Sequence, residues 1–383
     1  MKTYKLWAEI DLDALRHNYR TIRDMVQKSA PDCRVIAVVK ADAYGHGVGA
    51  VSRTLLSEGC DFFAVSSVSE ALELKAIVGD RAETLILGYS MPEDLQTILE
   101  NNVIQTVFSD EYREALSAKM ARLKNENRIS ETAKLRVHLK LDTGMNRLGF
   151  STADAAAAAD VLREAIHDPH LKAEGMFTHF ASADTDGGFG MTAVQLARFD
   201  AVANALCETN DCPSFLHTAN SAAALSFPDS YKSAVRAGII LYGLSPDGEI
   251  NPAFRPVMTL KARIAHIHTL KAGESVSYGA TYTALRDQRI ATVPVGYGDG
   301  FLRRFEKASF RLADGTLAPI VGRICMDQCM IDVSNSDVHP GDTVTVFGGD
   351  DGTMIKHLAD LGGTIHYEIT SILTPRVARV TVG

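Results

Sequence analysis

The chain has 383 residues, 46% of them apolar and 22% charged. It is too long for one ordinary domain and suits a large α/β barrel followed by a smaller domain. A formal charge of −8 without any Lys/Arg run argues against a nucleic-acid partner; no apolar stretch reaches membrane-helix length, and six cysteines in so long a chain are no disulfide framework.

The first ten residues lack the apolar core of a signal peptide, so a cytoplasmic protein is expected. Residues 4–10 read as a strand, followed by a helix over 13–28 with apolar Leu15, Tyr19, Ile22 and Val26. Strand-like runs then recur at 35–39, 62–65, 84–87, 104–108, 135–141, 173–178, 214–217 and 235–241. Helical stretches fall among them, at 69–78, the Ala-rich 153–166 and 192–207. Eight strands alternating with helices predict a (β/α)8 TIM barrel over residues 1–250, with residues 1–10 pairing instead with the second domain. The segment Asn251-Pro-Ala-Phe-Arg-Pro256 reads as the hinge. Short alternating strands at 259–269, 289–295, 318–323, 330–333 and 343–347, separated by Gly-containing turns, predict an all-β domain over 251–383.

The most informative stretch is Val35-Ile-Ala-Val-Val-Lys40-Ala-Asp-Ala-Tyr44-Gly-His-Gly47. A buried strand ends there in a lysine and breaks into a Gly-rich loop. A lysine held at a strand tip is partly desolvated, its amine shifts toward neutrality, and it can form a Schiff base. A lone lysine there is more often one that snorkels to solvent. Other unusual polar residues gather at the same strand ends, where a barrel puts its active site. Asp142-Thr-Gly-Met-Asn-Arg147 follows the fifth strand and His179 closes the sixth. Asn220 and Ser221 follow the seventh, and Arg236 begins the eighth, just before Gly238 and Ile239. Asn220-Ser221 ahead of an Ala-rich helix start, facing the close backbone approach that Gly238 allows, suits a phosphate. A Schiff-base lysine and a phosphate site on one rim suggest pyridoxal 5′-phosphate.

At this point the sequence resembles the alanine racemases, fold type III enzymes dependent on pyridoxal 5′-phosphate. The resemblance runs through the Lys40 motif, Asp142-Thr-Gly-Met-Asn-Arg147-Leu-Gly, Thr-His179-Phe-Ala, His217-Thr-Ala-Asn-Ser221 and Arg236-Ala-Gly-Ile-Ile-Leu-Tyr-Gly. It continues in Ser277-Tyr278-Gly-Ala-Thr-Tyr, Gly296-Tyr-Gly-Asp-Gly300, Gly322-Arg-Ile-Cys-Met326-Asp327-Gln and His366-Tyr367-Glu. It covers nearly the whole chain.

The resemblance implies that Lys40 holds the cofactor and acts as one acid/base at Cα, with Tyr278 of the partner subunit as the other. Two bases on opposite faces are what racemisation through a planar carbanion requires. It further implies that His179 tunes Tyr278 and that Arg236 faces the pyridine nitrogen. Arg147 would touch the cofactor's phenolic oxygen and the substrate. Tyr44, Asn220, Ser221, Tyr367 and the backbone at Gly238 and Ile239 would hold the cofactor, chiefly its phosphate. Met326 and Asp327 would line the substrate pocket, Arg323 and Ile365 the access corridor, and Lys140 would be carbamylated. The implied assembly is a homodimer with shared active sites, and the implied task is D-alanine supply for peptidoglycan. Serine or a broader set of amino acids is an alternative substrate, and a non-catalytic pyridoxal-phosphate-binding protein an alternative function. The β domain with Tyr278 speaks against that last reading, and Arg236 speaks against a decarboxylase of the same fold.

Three further motifs carry less. Gly296-Tyr-Gly-Asp-Gly300 opens no long helix, so it does not read as a nucleotide loop. His266 and His268 fall on one face of a β-domain strand, more often surface than ligand. Cys325 and Cys329 lack zinc-knuckle spacing and read as strand residues, so no metal is expected.

Overall fold

The computed structural model describes residues 4–185, 188–349 and 351–383. The chain forms two compact units, one made of residues 19–41 and 48–241, the other of 1–18, 42–47 and 242–383. Strand β1 (Leu6–Asp11) and helix α1 (Leu12–Ser29) open the chain.

The first unit is a nearly closed parallel barrel. In chain order come β2 (Arg34–Val38), the turn α2 (Lys40–Tyr44), whose residues 42–44 belong to the other unit, α3 (Val48–Ser57), β3 (Phe62–Val65), α4 (Val68–Val78) and β4 (Glu83–Ile86). Then come α5 (Leu95–Glu100), β5 (Ile104–Val107), α6 (Asp110–Asn125), β6 (Leu135–Asp142), the short β7 (Phe150–Ser151), α7 (Ala155–Ile166) and β8 (Leu171–Phe177). Helix α8 (Phe189–Cys207), β9 (Phe215–His217), α9 (Ser221–Ser226) and β10 (Ala234–Ala237) complete it. The order round the barrel is β10-β2-β3-β4-β5-β6-β8-β9, every neighbour parallel. Backbone bonds from Ser233 N to Leu216 O (2.8 Å) and from Arg236 N to Ala219 O (3.0 Å) bring the two ends together. Strands such as β3 (Phe-Phe-Ala-Val) are wholly apolar because both faces are covered, one by helices and one by barrel-interior side chains. Helices start where the sequence supplies caps: Ser67 Oγ accepts from Glu70 N, Ser109 Oγ from Tyr112 N, and Asp154 from the amides of Ala156 and Ala157.

The second unit is built on sheets that are antiparallel except for the parallel β1–β20 pair. It comprises β11 (Met258–Arg263), β12 (His266–Leu270), β13 (Ser275–Val276), β14 (Tyr282–Thr283), β15 (Gln288–Val293), β16 (Ser309–Arg311), β17 (Leu317–Pro319), β18 (Cys329–Asp332), β19 (Thr343–Phe347) and β20 (Ala378–Val382). One sheet has the order β17-β16-β19-β11-β1-β20 and a second β12-β15-β18, with β13 and β14 as a hairpin. Helices α10 (Thr353–Gly362) and α11 (His366–Ser371), which the strand pattern does not foretell, fill the stretch between β19 and β20.

Two strands end earlier than their apolar runs. The run 235–241 is a strand only to Ala237; Ile239–Tyr242 is a 3-10 turn, and Arg236 sits inside β10 rather than at its start. The run 259–269 breaks at Ile264 and Ala265, whose amides donate to different neighbours, Asp342 O and Thr292 O, so the chain passes from one sheet to the next.

The turn α2 is left-handed, with φ of +52°, +53°, +55° and +54° at Ala41, Asp42, Ala43 and Tyr44. For L-residues this costs roughly 1–2 kcal/mol each, so on the order of 4–8 kcal/mol must be offset by its surroundings. Gly47 N donates to Asp42 O at 2.9 Å, and Arg379 Nε donates to Gly45 O at 2.9 Å. His46 Nδ1 lies 3.0 Å from both Ala43 O and Tyr44 O. Facing two carbonyls, it must be the protonated nitrogen, and the ring stacks on Tyr242 at 4.4 Å. At Gly45 (φ +82°) a Cβ would meet Thr370 O at 2.0 Å. Gly45→Ala should therefore lose on the order of 2–4 kcal/mol in urea unfolding, whereas Gly59→Ala should lose only about 1 kcal/mol. The contrast rests on space, since a Cβ on Gly59 (φ +88°) would meet no atom within 4 Å. Equal losses at the two sites would contradict this account of the turn.

Candidate active site

The barrel gathers positive charge at the C-terminal ends of its strands. Lys40 comes two residues after β2; burial, chiefly, and then Arg147 pull its amine below the usual range. Lys140, inside β6 and 5% exposed, sits with Nζ 5.8 Å from the Phe177 ring centre. Burial, then Arg147 and Arg236, push it down to about 8. Arg147 follows β6 in an exposed loop, and Arg236 is buried in β10. Neither arginine makes an ion pair among the described residues. The nearby carboxylates are committed to backbone amides. Asp142 Oδ1 accepts from Gly144 N and Asn146 N, and Glu70 accepts from Ala41 N and Ser66 N. Four cations facing only two nearby carboxylates leave an excess of positive charge that suits a ligand carrying several negative charges.

Arg236 is the best-determined group. Nη1 donates to His217 Nδ1 (2.9 Å) and His217 O (2.8 Å). Nη2 donates to Thr178 O (2.6 Å) and Thr218 O (3.0 Å), and reaches His179 Nδ1 at 3.4 Å. Its face lies over the Phe177 ring at 5.3 Å. Nε has no hydrogen-bond partner among the described residues, which suits a ring-nitrogen acceptor. An arginine only donates, so His179 Nδ1 accepts and its proton sits on Nε2. Burial and the surrounding cations hold His179 well below the usual histidine range, hence neutral.

The expected phosphate-binding residues of the barrel are also adjacent. Asn220 caps α9, its Oδ1 accepting from Ala223 N at 3.0 Å, and Ser221 Oγ accepts from Gly238 N at 2.9 Å. Ile239 is fully buried at the start of the 3-10 turn.

The remaining expected residues belong to the second unit. Tyr44, lifted by the left-handed turn, has its ring 5.1 Å from Tyr242 and 6.1 Å from Tyr367, and burial raises its phenol. Tyr278 is 71% exposed and lines an open hollow of about 280 Å³ with Ser277, Cys325, Met326, Asp327 and Gln328. Asp327 is paired with Arg376 at 2.6 Å, and Arg376 also meets Asp299 at 3.2 Å. Ile365 is exposed, and a Cβ on Gly279 would lie 3.3 Å from Arg323 Nη1.

Sequence reading missed His46, His138, Gly175, Arg376 and Arg379. A signal existed for His138, which shares a strand face with Lys140 two residues on. None existed for Arg376 or Arg379, whose roles depend on distant backbone.

Comparison with known proteins decides the family. Residues 10–246 match the alanine racemase N-terminal domain and 257–381 the alanine racemase C-terminal domain. The chain belongs to the alanine racemase family. It is 42% identical over 382 residues to the alanine racemase of Desulforamulus reducens, covering 99% of each chain. Its fold matches the alanine racemase of Clostridium difficile with a TM-score of 0.91 at 35% identity, over 100% of this chain and 97% of that one. A structure of the latter in complex with cycloserine matches with a TM-score of 0.88 at 34% identity, covering 100% and 96%. As a member of this family the protein is an isomerase that racemises alanine.

His46, His138 and His217 are buried and held neutral, with folded-state values below the unfolded one; His46 lies at about 4 and His138 at about 3. The unfolded chain therefore binds more protons below about pH 6.5. Stability is fully present above that pH and falls as pH drops, by up to about 1.4 kcal/mol per pH unit for each histidine. Urea unfolding at pH 7 and pH 5 should show this loss, and an unfolding free energy flat over that window would contradict burial of neutral imidazoles.

Proposed function

We propose that this racemase interconverts L-alanine and D-alanine with pyridoxal 5′-phosphate held covalently on Lys40. Lys40 and Tyr278 of the partner subunit serve as its two bases, and its product is cytoplasmic D-alanine for peptidoglycan. The observation that carries the reading is Lys40, desolvated beside three further cations whose nearby carboxylates are already engaged. When bound, the cofactor draws electrons from the amino acid's Cα and acidifies its hydrogen. Lys40 Nζ takes or returns that proton on one face and Tyr278 Oη does so on the other. His179, protonated on Nε2, donates to the Tyr278 oxygen and lowers the cost of its phenolate form. Arg236 presents Nε to the pyridine nitrogen; its fixed charge disfavours ring protonation and so limits transamination. Arg147 holds the phenolic oxygen and, with Met326 and Asp327, the substrate. Tyr44, Asn220, Ser221, Gly238, Ile239 and Tyr367 hold the cofactor at its phosphate end. Residues 1–250 supply most of the cofactor site, and 251–383 supply Tyr367 and the second base.

The purified protein, given a panel of amino acids with and without added pyridoxal 5′-phosphate, should abolish the optical rotation of L-alanine fastest and only with the cofactor. Faster racemisation of serine, or racemisation unaffected by cofactor removal, would overturn the substrate or the cofactor assignment respectively.

A homodimer with shared sites predicts complementation. Lys40→Ala and Tyr278→Ala subunits are each inactive, yet after mixing and exchange half of the dimers are mixed and each carries one intact site. Activity should reach about a quarter of wild type; none after demonstrated exchange contradicts sharing.

Lys140 is the modified residue in this reading. Its neutral amine adds carbon dioxide and releases a proton, and the resulting carbamate anion pairs with Arg147. An amine near 8 is about one-tenth neutral at pH 7 and mostly neutral at pH 9. Carbon-13 bicarbonate should give a carbamate NMR resonance that is absent from Lys140→Ala. A spectrum unchanged by that substitution rules the modification out.

A further inference from the structure

We infer that His138 is a positioning residue for Arg236, acting through His217 across an opening that Gly175 provides. This deepens the proposed function above, and rests on it only for the part that concerns the cofactor. His138 Nδ1 and His217 Nε2 are 2.9 Å apart, although their strands β6 and β9 are separated by β8. The register explains how. His138 stands opposite Gly175 of β8, at a shift in the β6–β8 pairing between Val137 and His138. A Cβ on Gly175 would lie 2.6 Å from His138 Nε2, so any side chain there displaces the imidazole. The residue with no side chain therefore lets one histidine reach over its strand to another.

The protons along this chain have one consistent order. Arg236 can only donate, so His217 Nδ1 accepts from Nη1. Both histidines are neutral, held so by burial first and by nearby positive charge after it, Arg136 and Arg236 for His138, Arg236 for His217. His217 thus carries its proton on Nε2 and donates it to His138 Nδ1. Phe177 stacks on His217 at 4.7 Å, while Phe62 and Phe215 contact His138. His217 is thereby fixed on both edges and one face, and it holds the Nη1 side of Arg236. A buried guanidinium without a carboxylate has several ways to turn. Holding Nη1 leaves Nε as its one uncommitted donor. Without His138, the buried His217 N–H is unpaired, and rotation of that ring to find a partner releases Arg236.

The test uses His138→Leu, His138→Asn and Gly175→Ala. His138→Asn places an amide oxygen close to the lost Nδ1 acceptor. In cofactor-free protein labelled with nitrogen-15 histidine, wild type should show His217 protonated on Nε2, with coupling across the hydrogen bond to an unprotonated His138 Nδ1. His138→Leu and Gly175→Ala should lose that coupling. A wild-type spectrum with the proton on His138 Nδ1 overturns the inference whatever the cofactor is. In the loaded enzyme, His138→Leu should lower kcat about tenfold with little change in KM and raise the transamination-to-racemisation ratio by a similar factor. His138→Asn should restore most of both. A His138→Leu enzyme that merely melts earlier, with wild-type kcat and ratio, also overturns it. If the spectrum agrees but no variant or wild type responds to the cofactor, the histidine chain stands and the cofactor assignment fails.

Discussion

The chemistry at the barrel mouth depends on positive charge that outnumbers the nearby carboxylates, with Lys140 and Arg236 buried. Lys40, Lys140, Arg147 and Arg236 converge there, and the nearby Asp142 and Glu70 are spent on backbone amides. Burying a cation without a partner is expensive, so the buried Lys140 and Arg236 point to a ligand that completes the set. Burial first, and the neighbouring cations after it, lower the two lysine amines toward neutrality and keep His179 and His217 uncharged. The shortage of carboxylates also makes Arg236 satisfy itself on carbonyl oxygens and imidazole nitrogens. Those are weaker acceptors than carboxylates, but they are directional, and they fix the rotamer and the histidine tautomers together.

The second constraint is backbone strain directly after Lys40. A strand that simply continued would alternate its side chains between two faces; the left-handed turn instead closes within five residues and delivers Tyr44 to Tyr242 and Tyr367. Its cost is met by contacts from within the second unit, namely His46, Arg379 and the close backbone approach at Gly45. Strain held in place by so many independent bonds is a mark of a functional segment. It also explains why the motif reads Tyr-Gly-His-Gly, two glycines being needed for space and positive φ on either side of a histidine that clamps carbonyls.

Much of this was legible in the sequence because it depends on local pattern. Strands announce themselves by their apolar pattern, and 62–65 in the barrel and 343–347 in the second unit match to the residue. The alternation that put His266 and His268 on one face is seen in their stacked rings, 5.5 Å apart. The misreadings share a cause: apolar composition continues where the backbone turns. Residues 238–241 are as apolar as a strand, yet Gly238 and the 3-10 turn end it, and Ile264–Ala265 break a run because they bond to different sheets. The left-handed turn left no signal in Ala41, Asp42 and Ala43, which favour other conformations in isolation. Arg236 was legible as a residue of interest but not as a hub, because its acceptors come from β9 and the segments after β8 and β9. Gly175 and His138 are 37 positions apart, and only the strand register makes them partners.

The central claim is that the desolvated lysine at the tip of β2, and no other, carries the cofactor. Borohydride reduction of the protein loaded with pyridoxal 5′-phosphate, followed by peptide mapping, tests it directly. The account predicts loss of the near-visible absorbance and a single stable pyridoxyl label on Lys40, with the neighbouring Lys140 unlabelled. Label on Lys140, or spread over surface lysines, would contradict it.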